Sequence, residues 1–172
     1  MVTGVHIPAR ITHPVVIHEF NQLEDYQARV GGMIEAVDLR LIDVTMYVNE
    51  EGLVRGLEFN PRATMLWWYW VPAARQKALL AGDVVLVGRP DEQGDPTDLP
   101  EQMVEVLSRS EAFRIEVQWR PGDPWEPLDT PSPCRDYFDA LTWTLIVVEK
   151  SHPFQAKVVS TVIPLEHADP TG

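Results

Sequence analysis

Two arginines and three tryptophans offer the most specific chemistry in this chain of 172 residues. Arg62 follows the helix-start pair Asn60-Pro61, and Arg75 follows Pro72. A guanidinium at a helix N-terminus adds forked donors to backbone N–H groups that already favour anions. Between the two arginines run Leu66, Trp67, Trp68, Tyr69 and Trp70, which put aromatic surface on every side of their element. One functional reading is a pocket that stacks and ion-pairs an anionic metabolite or nucleotide. The other is that Trp and Tyr act as anchors for a protein partner. Core packing competes with both and is favoured, because large aromatics also dominate core energetics. Consecutive large side chains cannot all face one core, so two buried tryptophans and one partly exposed are expected. Cap and turn chemistry likewise accounts for Asn49, Glu50, Glu51, Asn60 and Arg62 without a ligand.

The second concentration of chemistry is acidic. Asp91, Glu92, Asp95, Asp98, Glu101, Glu105 and Glu111 are opposed only by Arg109, and they carry half of the chain's formal net charge of -12. Their oxygens would suit calcium, but the spacing is not that of a calcium loop, and Pro96 and Pro100 restrict it further. A solvated acid face that attracts a basic surface is the better reading. His6, His13 and His18 are seven and five residues apart, so on a strand His13 faces away from the other two. Serines at 108, 110, 132, 151 and 160 belong to no nucleophile elbow, and no Walker loop, GxGxxG or HExxH is present. Cys134, the single cysteine, is a bystander in a Pro-rich loop. These patterns yield no catalytic residue, metal site or cofactor.

The elements that would position these residues begin with HIPARITHPVVIHEF, which is extended, with Val15 to Phe20 as its expected strand. Gln22 to Val30 has helical spacing and stops at Gly31-Gly32. Met33 to Leu39 is extended again. Val44 to Asn49 and Leu53 to Phe59 flank Glu50-Glu51-Gly52, a hairpin in which Gly52 is expected to supply a positive φ. Asn60 caps a helix beginning at Pro61, and Pro72 begins a second that runs to Gly82. Asp83 to Gly88 is a strand with no polar face, and Asp98-Leu99-Pro100-Glu101 has the capping-box order for a helix to Arg109. Phe113 to Trp119 alternates like a half-buried strand. Arg120 to Pro133 is loop, pinned by Trp125, and Asp136 caps a helix through Lys150. Phe154 to Ile163 is the last strand.

This order predicts an α+β fold, a mainly antiparallel sheet with short helices on one face plus a small C-terminal β-α-β element. Residues 1–110 would form the main domain with an extended N-terminal arm, 111–164 a subdomain, and 165–172 a tail. With 45% apolar and 23% charged residues the chain is compositionally an ordinary globular protein. Its charge repels a phosphate backbone, which argues against direct nucleic-acid binding. No apolar run approaches the roughly 18 residues of a membrane span, no secretory signal opens the chain, and a lone thiol suits a reducing compartment, so a cytoplasmic location is expected.

Four ordered motifs carry a resemblance. They are Leu23 with Gly31-Gly32 and Ile34-Glu35-Ala36-Val37; Asn49-Glu50-Glu51-Gly52; Asn60-Pro61-Arg62-Ala63-Thr64; and Gly82-Asp83-Val84-Val85-Leu86-Val87-Gly88. From Val15 to Leu107 the chain resembles a small domain of bacteriophage and actinobacterial proteins, domain-of-unknown-function family 3846. The resemblance implies a phage-type accessory protein and brings no activity or catalytic residue with it. The resulting expectation is a non-enzymatic acidic protein, in the host cytoplasm if phage-encoded. It would bind a host or phage protein through a basic surface of that partner, with host defence components among the targets. The alternative is a sponge-like binder of a small molecule or nucleotide. Homo-oligomerisation is left open.

Overall fold

A computed structural model describes residues 1–109 and 113–160. Ser110, Glu111, the end of the expected last strand at Ile163 and the tail 165–172 lie outside the described residues. The elements are β1 (Val2–Ile7), β2 (Val16–Phe20), α1 (Leu23–Val30), β3 (Ile34–Leu39), β4 (Val44–Asn49), α2 (Pro61–Trp70), β5 (Val84–Gly88), α3 (Glu101–Ser108), β6 (Phe113–Gln118), β7 (Glu126–Leu128), α4 (Tyr137–Ser151) and β8 (Gln155–Ser160).

The fold is α+β with mainly antiparallel sheet, and its organising strand is β5. A strand of successive apolar residues must be covered on both faces, and β5 lies at the centre of the order β2-β1-β5-β4-β3. Val84 and Leu86 point into the larger core with Leu66, Tyr69 and Trp70 of α2 and with Met103, Val106 and Leu107 of α3. Val85 and Val87 point the other way, onto Phe20, Tyr26 and Val30. Helix α1 therefore lies on the face opposite α2 and α3. Every neighbouring pair in the sheet is antiparallel.

The second sheet has the order β7-β6-β8. Helix α4 lies against it, with Trp143, Val147 and Val148 packed on Ile115, Val117 and Ala156. The same helix places Tyr137, Phe138 and Leu141 in the core shared with α2. Its start is the expected one, for the Asp136 carboxylate accepts the Asp139 N–H at 2.8 Å. Amphipathic packing here overrides the β-propensity of Thr142 to Val148.

Several local readings are corrected. Val2–Ile7 is a strand that pairs with both β2 and β5; its Gly4 hides the strand signal, yet glycine is required because a Cβ there would lie 2.6 Å from the Leu86 carbonyl oxygen. Leu53 to Phe59 is not a strand but a run of turns, with Phe59 alone bridging to Ala81. Gly52 does not have a positive φ; Gly56 does, at 65°. The helix expected from Pro72 is one 3-10 turn, Pro72–Ala74. Asp98 does not cap α3, whose N-cap is Pro100; the Asp98 carboxylate instead accepts the Thr3 N–H at 2.6 Å, joining the loop to β1. Finally, Glu126–Leu128 adds β7 inside the proline-rich segment, where Pro127 is tolerated because β7 is an edge strand.

Candidate functional site

Helix α2 begins at Asn60, whose side-chain oxygen accepts the Ala63 N–H at 3.0 Å. The proline behind it donates no hydrogen bond and needs none at this position. Arg62, in the first turn, does not point at a ligand. Its guanidinium donates to three carbonyls of the loop after β1, those of Pro8, Arg10 and His13, at 2.6, 3.1 and 3.0 Å. It also stands 6.0 Å over the Phe138 ring, and burial lowers its pKa. Arg75 sits beyond the far end of the helix, donating from Nε to the Trp68 carbonyl at 2.8 Å and from Nη2 towards Tyr69 O at 3.5 Å. A ten-residue helix is about 15 Å long, so the two cations hold opposite ends of α2.

The tryptophans do not join them in a pocket. Trp70 is buried against Tyr69 and within the main core. Trp67 and Trp68 are half-buried; Trp67 packs on that core, and Trp68 Nε1 donates to the Ala78 carbonyl at 2.7 Å. One tryptophan is thus buried and two are half-covered, in place of the expected two buried. The irregular segment after α2 wraps the outer side of the helix and supplies the extra cover.

The acid segment divides into structural and outward-facing members. Asp91 organises its own loop, accepting the N–H groups of Gln93 and Asp95 at 2.9 and 3.0 Å. Asp98 ties to Thr3, and Glu105 pairs with Arg109 four residues on at 3.2 Å. Glu92, Asp95 and Glu101 are exposed.

The loop held by Asp91 leads to a cleft that the sequence does not single out. Met1, Val2, Phe20, Gln22, Tyr26, Ile34 and Tyr47 line it together with Gly94, Asp95 and Pro96, enclosing about 670 Å³. Its floor is aromatic: Phe20 stacks on Tyr26 with centroids 4.6 Å apart, and Tyr26 meets Tyr47 edge-on at 5.1 Å. Burial, reinforced by Tyr47 and Asp25, pushes the Tyr26 phenol up to about 12, and burial with Asp38 raises Tyr47. Both phenols are therefore neutral at physiological pH. Asp95 is the one acidic residue in the lining. The half-buried Tyr47 ring and a carboxylate lining one cleft suit a cationic group, attracted both by the ring and by charge. The available signal is the alternation of β4, where Val44, Met46 and Val48 face one core and Tyr47 the other.

A family model described as Domain of unknown function (DUF3846) matches residues 5–111. The chain belongs to the DUF3846 family. The matched segment runs from β1 to the end of α3, so the DUF3846 part of the chain holds the acid segment and all of the cleft except Met1 and Val2. No curated protein and no solved structure matches the chain.

The other residues weighed for chemistry are placed apart. His6 Nε2 lies 2.9 Å from Asp83 Oδ2, with its ring 5.9 Å from that of His18. Burial, then the charges of Arg29 and His6, lower the His18 pKa. Among the described residues no group of three or more His, Cys, Asp or Glu is arranged to hold a metal ion. Cys134 is buried, and burial raises its thiol pKa. No helix among the described residues is long and apolar enough to cross a membrane.

Proposed function

We propose that this is a non-enzymatic binding protein of bacteriophage type, acting in the cytoplasm on a host or phage protein that presents a basic segment. The observation that carries this reading is the meeting of the acid loop with the aromatic cleft, Asp95 lining the same cleft as Tyr26 and Tyr47. A partner's Lys or Arg would seat on the half-buried Tyr47 ring, while Glu92 and Glu101 steer its approach. Phage provenance rests on the resemblance carried by the four motifs and on a composition in which lysine occurs only as Lys77, Lys150 and Lys157. A host defence component is the kind of target such an accessory protein would engage. The reading in which Arg62, Arg75 and the tryptophans capture a small molecule is weaker, since both guanidinium groups are committed to backbone carbonyls.

The test uses an arginine-rich peptide and a glutamate-rich control in a surface-binding assay. Only the basic peptide should bind. Changing Glu92→Gln, Asp95→Asn and Glu101→Gln together should slow association and flatten its salt dependence, because rim charges act mainly on the on-rate. Tyr47→Ala should speed dissociation and leave the salt dependence intact. Failure of the basic peptide to bind, or equal kinetics in the triple variant, would overturn the proposal.

A further inference from the structure

In a second cleft, three of the fourteen Lys and Arg residues converge in a protein of formal charge -12. Arg10, Arg29 and Arg55, with His13, line an open cleft of about 490 Å³ whose wall includes Leu57, Glu58 and Asp83. None of these residues lines the aromatic cleft, so a ligand held here is independent of the basic partner assigned to that cleft.

Two features make this more than a chance grouping of cations. The first is that the arginines on the wall outnumber the carboxylates, Arg10, Arg29 and Arg55 against Glu58 and Asp83. Asp83 is engaged elsewhere, its Oδ1 accepting the Ala9 N–H and its Oδ2 meeting His6 Nε2, each at 2.9 Å. Glu58 makes only a long contact with Arg10, 3.7 Å between exposed side chains. The second is that the arginines are tethered by part of their donor set. Arg55 Nη1 donates to the Gly31 carbonyl at 2.9 Å, and Arg29 Nη2 donates to His18 Nδ1 at 3.4 Å. A guanidinium carries five N–H donors, so each keeps others for a ligand while its orientation is restricted. Gly31, at φ 76° and with open space where a Cβ would stand, leaves the wall between them unobstructed.

We propose that this cleft binds the phosphate group of a small phosphate ester, with the organic part against Leu57. Phosphate is favoured over carboxylate because several forked donors match its larger set of oxygens. A small ester is favoured over a nucleic acid because the molecule's overall charge repels a long phosphate backbone, whereas a single phosphate in the cleft lies within the ~8 Å over which nearby charges act at physiological salt. The cleft is open to solvent, and its volume lies within the roughly 300–1,000 Å³ of small-molecule sites.

Titration calorimetry with inorganic phosphate and with AMP tests this. Both should bind, AMP more tightly. The double variant Arg29→Gln with Arg55→Gln should weaken both by about tenfold or more, and the charge-conserving pair Arg29→Lys with Arg55→Lys should fall in between because the forks are lost. The exposed Arg120→Gln outside the cleft should change nothing. No heat with either ligand, or the same loss in Arg120→Gln as in the cleft variants, would overturn the site. Equal affinity for phosphate and AMP would overturn the role given to Leu57. Circular dichroism of each variant separates lost binding from lost fold.

Discussion

Asn60 shows how much one side chain does beyond the role its position suggests. Its oxygen caps α2, and its amide nitrogen donates to the carbonyls of Ile7 and Gly82, both at 3.0 Å, so the ends of β1 and β5 and the start of α2 meet on one fully buried side chain. Capping alone is worth about 1 kcal/mol. Leaving two buried carbonyls unpartnered adds about 1–3 kcal/mol for each, so Asn60→Ala should cost about 3 kcal/mol or more in chemical denaturation. Asn60→Asp separates the two roles: the capping oxygen survives, but the donors are gone and a carboxylate faces two carbonyls. It should be at least as damaging as alanine. A near-wild-type midpoint for Asn60→Asp would mean that only the cap matters. The cap is legible from Asn60-Pro61; the cross-links are not, because their acceptors are backbone groups distant in sequence. Arg62 is misread from sequence for the same reason: its partners are carbonyls, and carbonyls leave no trace in side-chain patterns.

Among the elements, α1, β3, β4, α2, β5, β6 and α4 are legible, each for a local reason such as the Gly31 stop, the Asn60 and Asp136 caps or the unbroken apolar run of β5. The misread stretches are those where tertiary packing decides. The segment after β4 illustrates it. It folds back against residues 80–82, with Asn60 N–H donating to the Leu80 carbonyl at 2.9 Å and Gly82 N–H to the Glu58 carbonyl at 2.8 Å. Gly52 is needed there for close approach, since a Cβ would stand 2.6 Å from the Ala81 carbonyl oxygen and 3.2 Å from that of Asn49. The obstacle is backbone, so Gly52→Ala should already carry most of the penalty of Gly52→Val, about 1–3 kcal/mol by melting. Gly56→Ala, with φ at 65° but open space around it, should cost about 1 kcal/mol, from the left-handed backbone alone. A harmless Gly52→Ala beside a harmful Gly56→Ala would show that turn geometry governs this segment after all. The cleft is illegible at this scale too: Phe20, Tyr26 and Tyr47 come from β2, α1 and β4, and only the sheet order brings them together.

At the scale of the whole molecule, the family match ends at residue 111 but the packing does not. Phe113, Tyr137, Phe138, Leu141 and Val158 share one buried cluster with Leu66, Tyr69 and Trp70. The Val158 N–H donates to the Tyr69 hydroxyl at 3.2 Å, tying β8 to α2. Deleting the second sheet with α4 would therefore uncover the inner side of α2, and large aromatics left in water forfeit the strongest apolar contributions to stability. The chain should unfold in one transition, with tryptophan fluorescence and far-ultraviolet circular dichroism coincident in denaturant. Leu141→Ala, fully buried in α4, should move both signals together by about 2–5 kcal/mol. A fragment ending at Arg109 should bind a hydrophobic dye and melt without cooperativity. Two separated transitions in the full chain, or a cooperative melt of the fragment, would instead divide the molecule at the boundary where the family match stops.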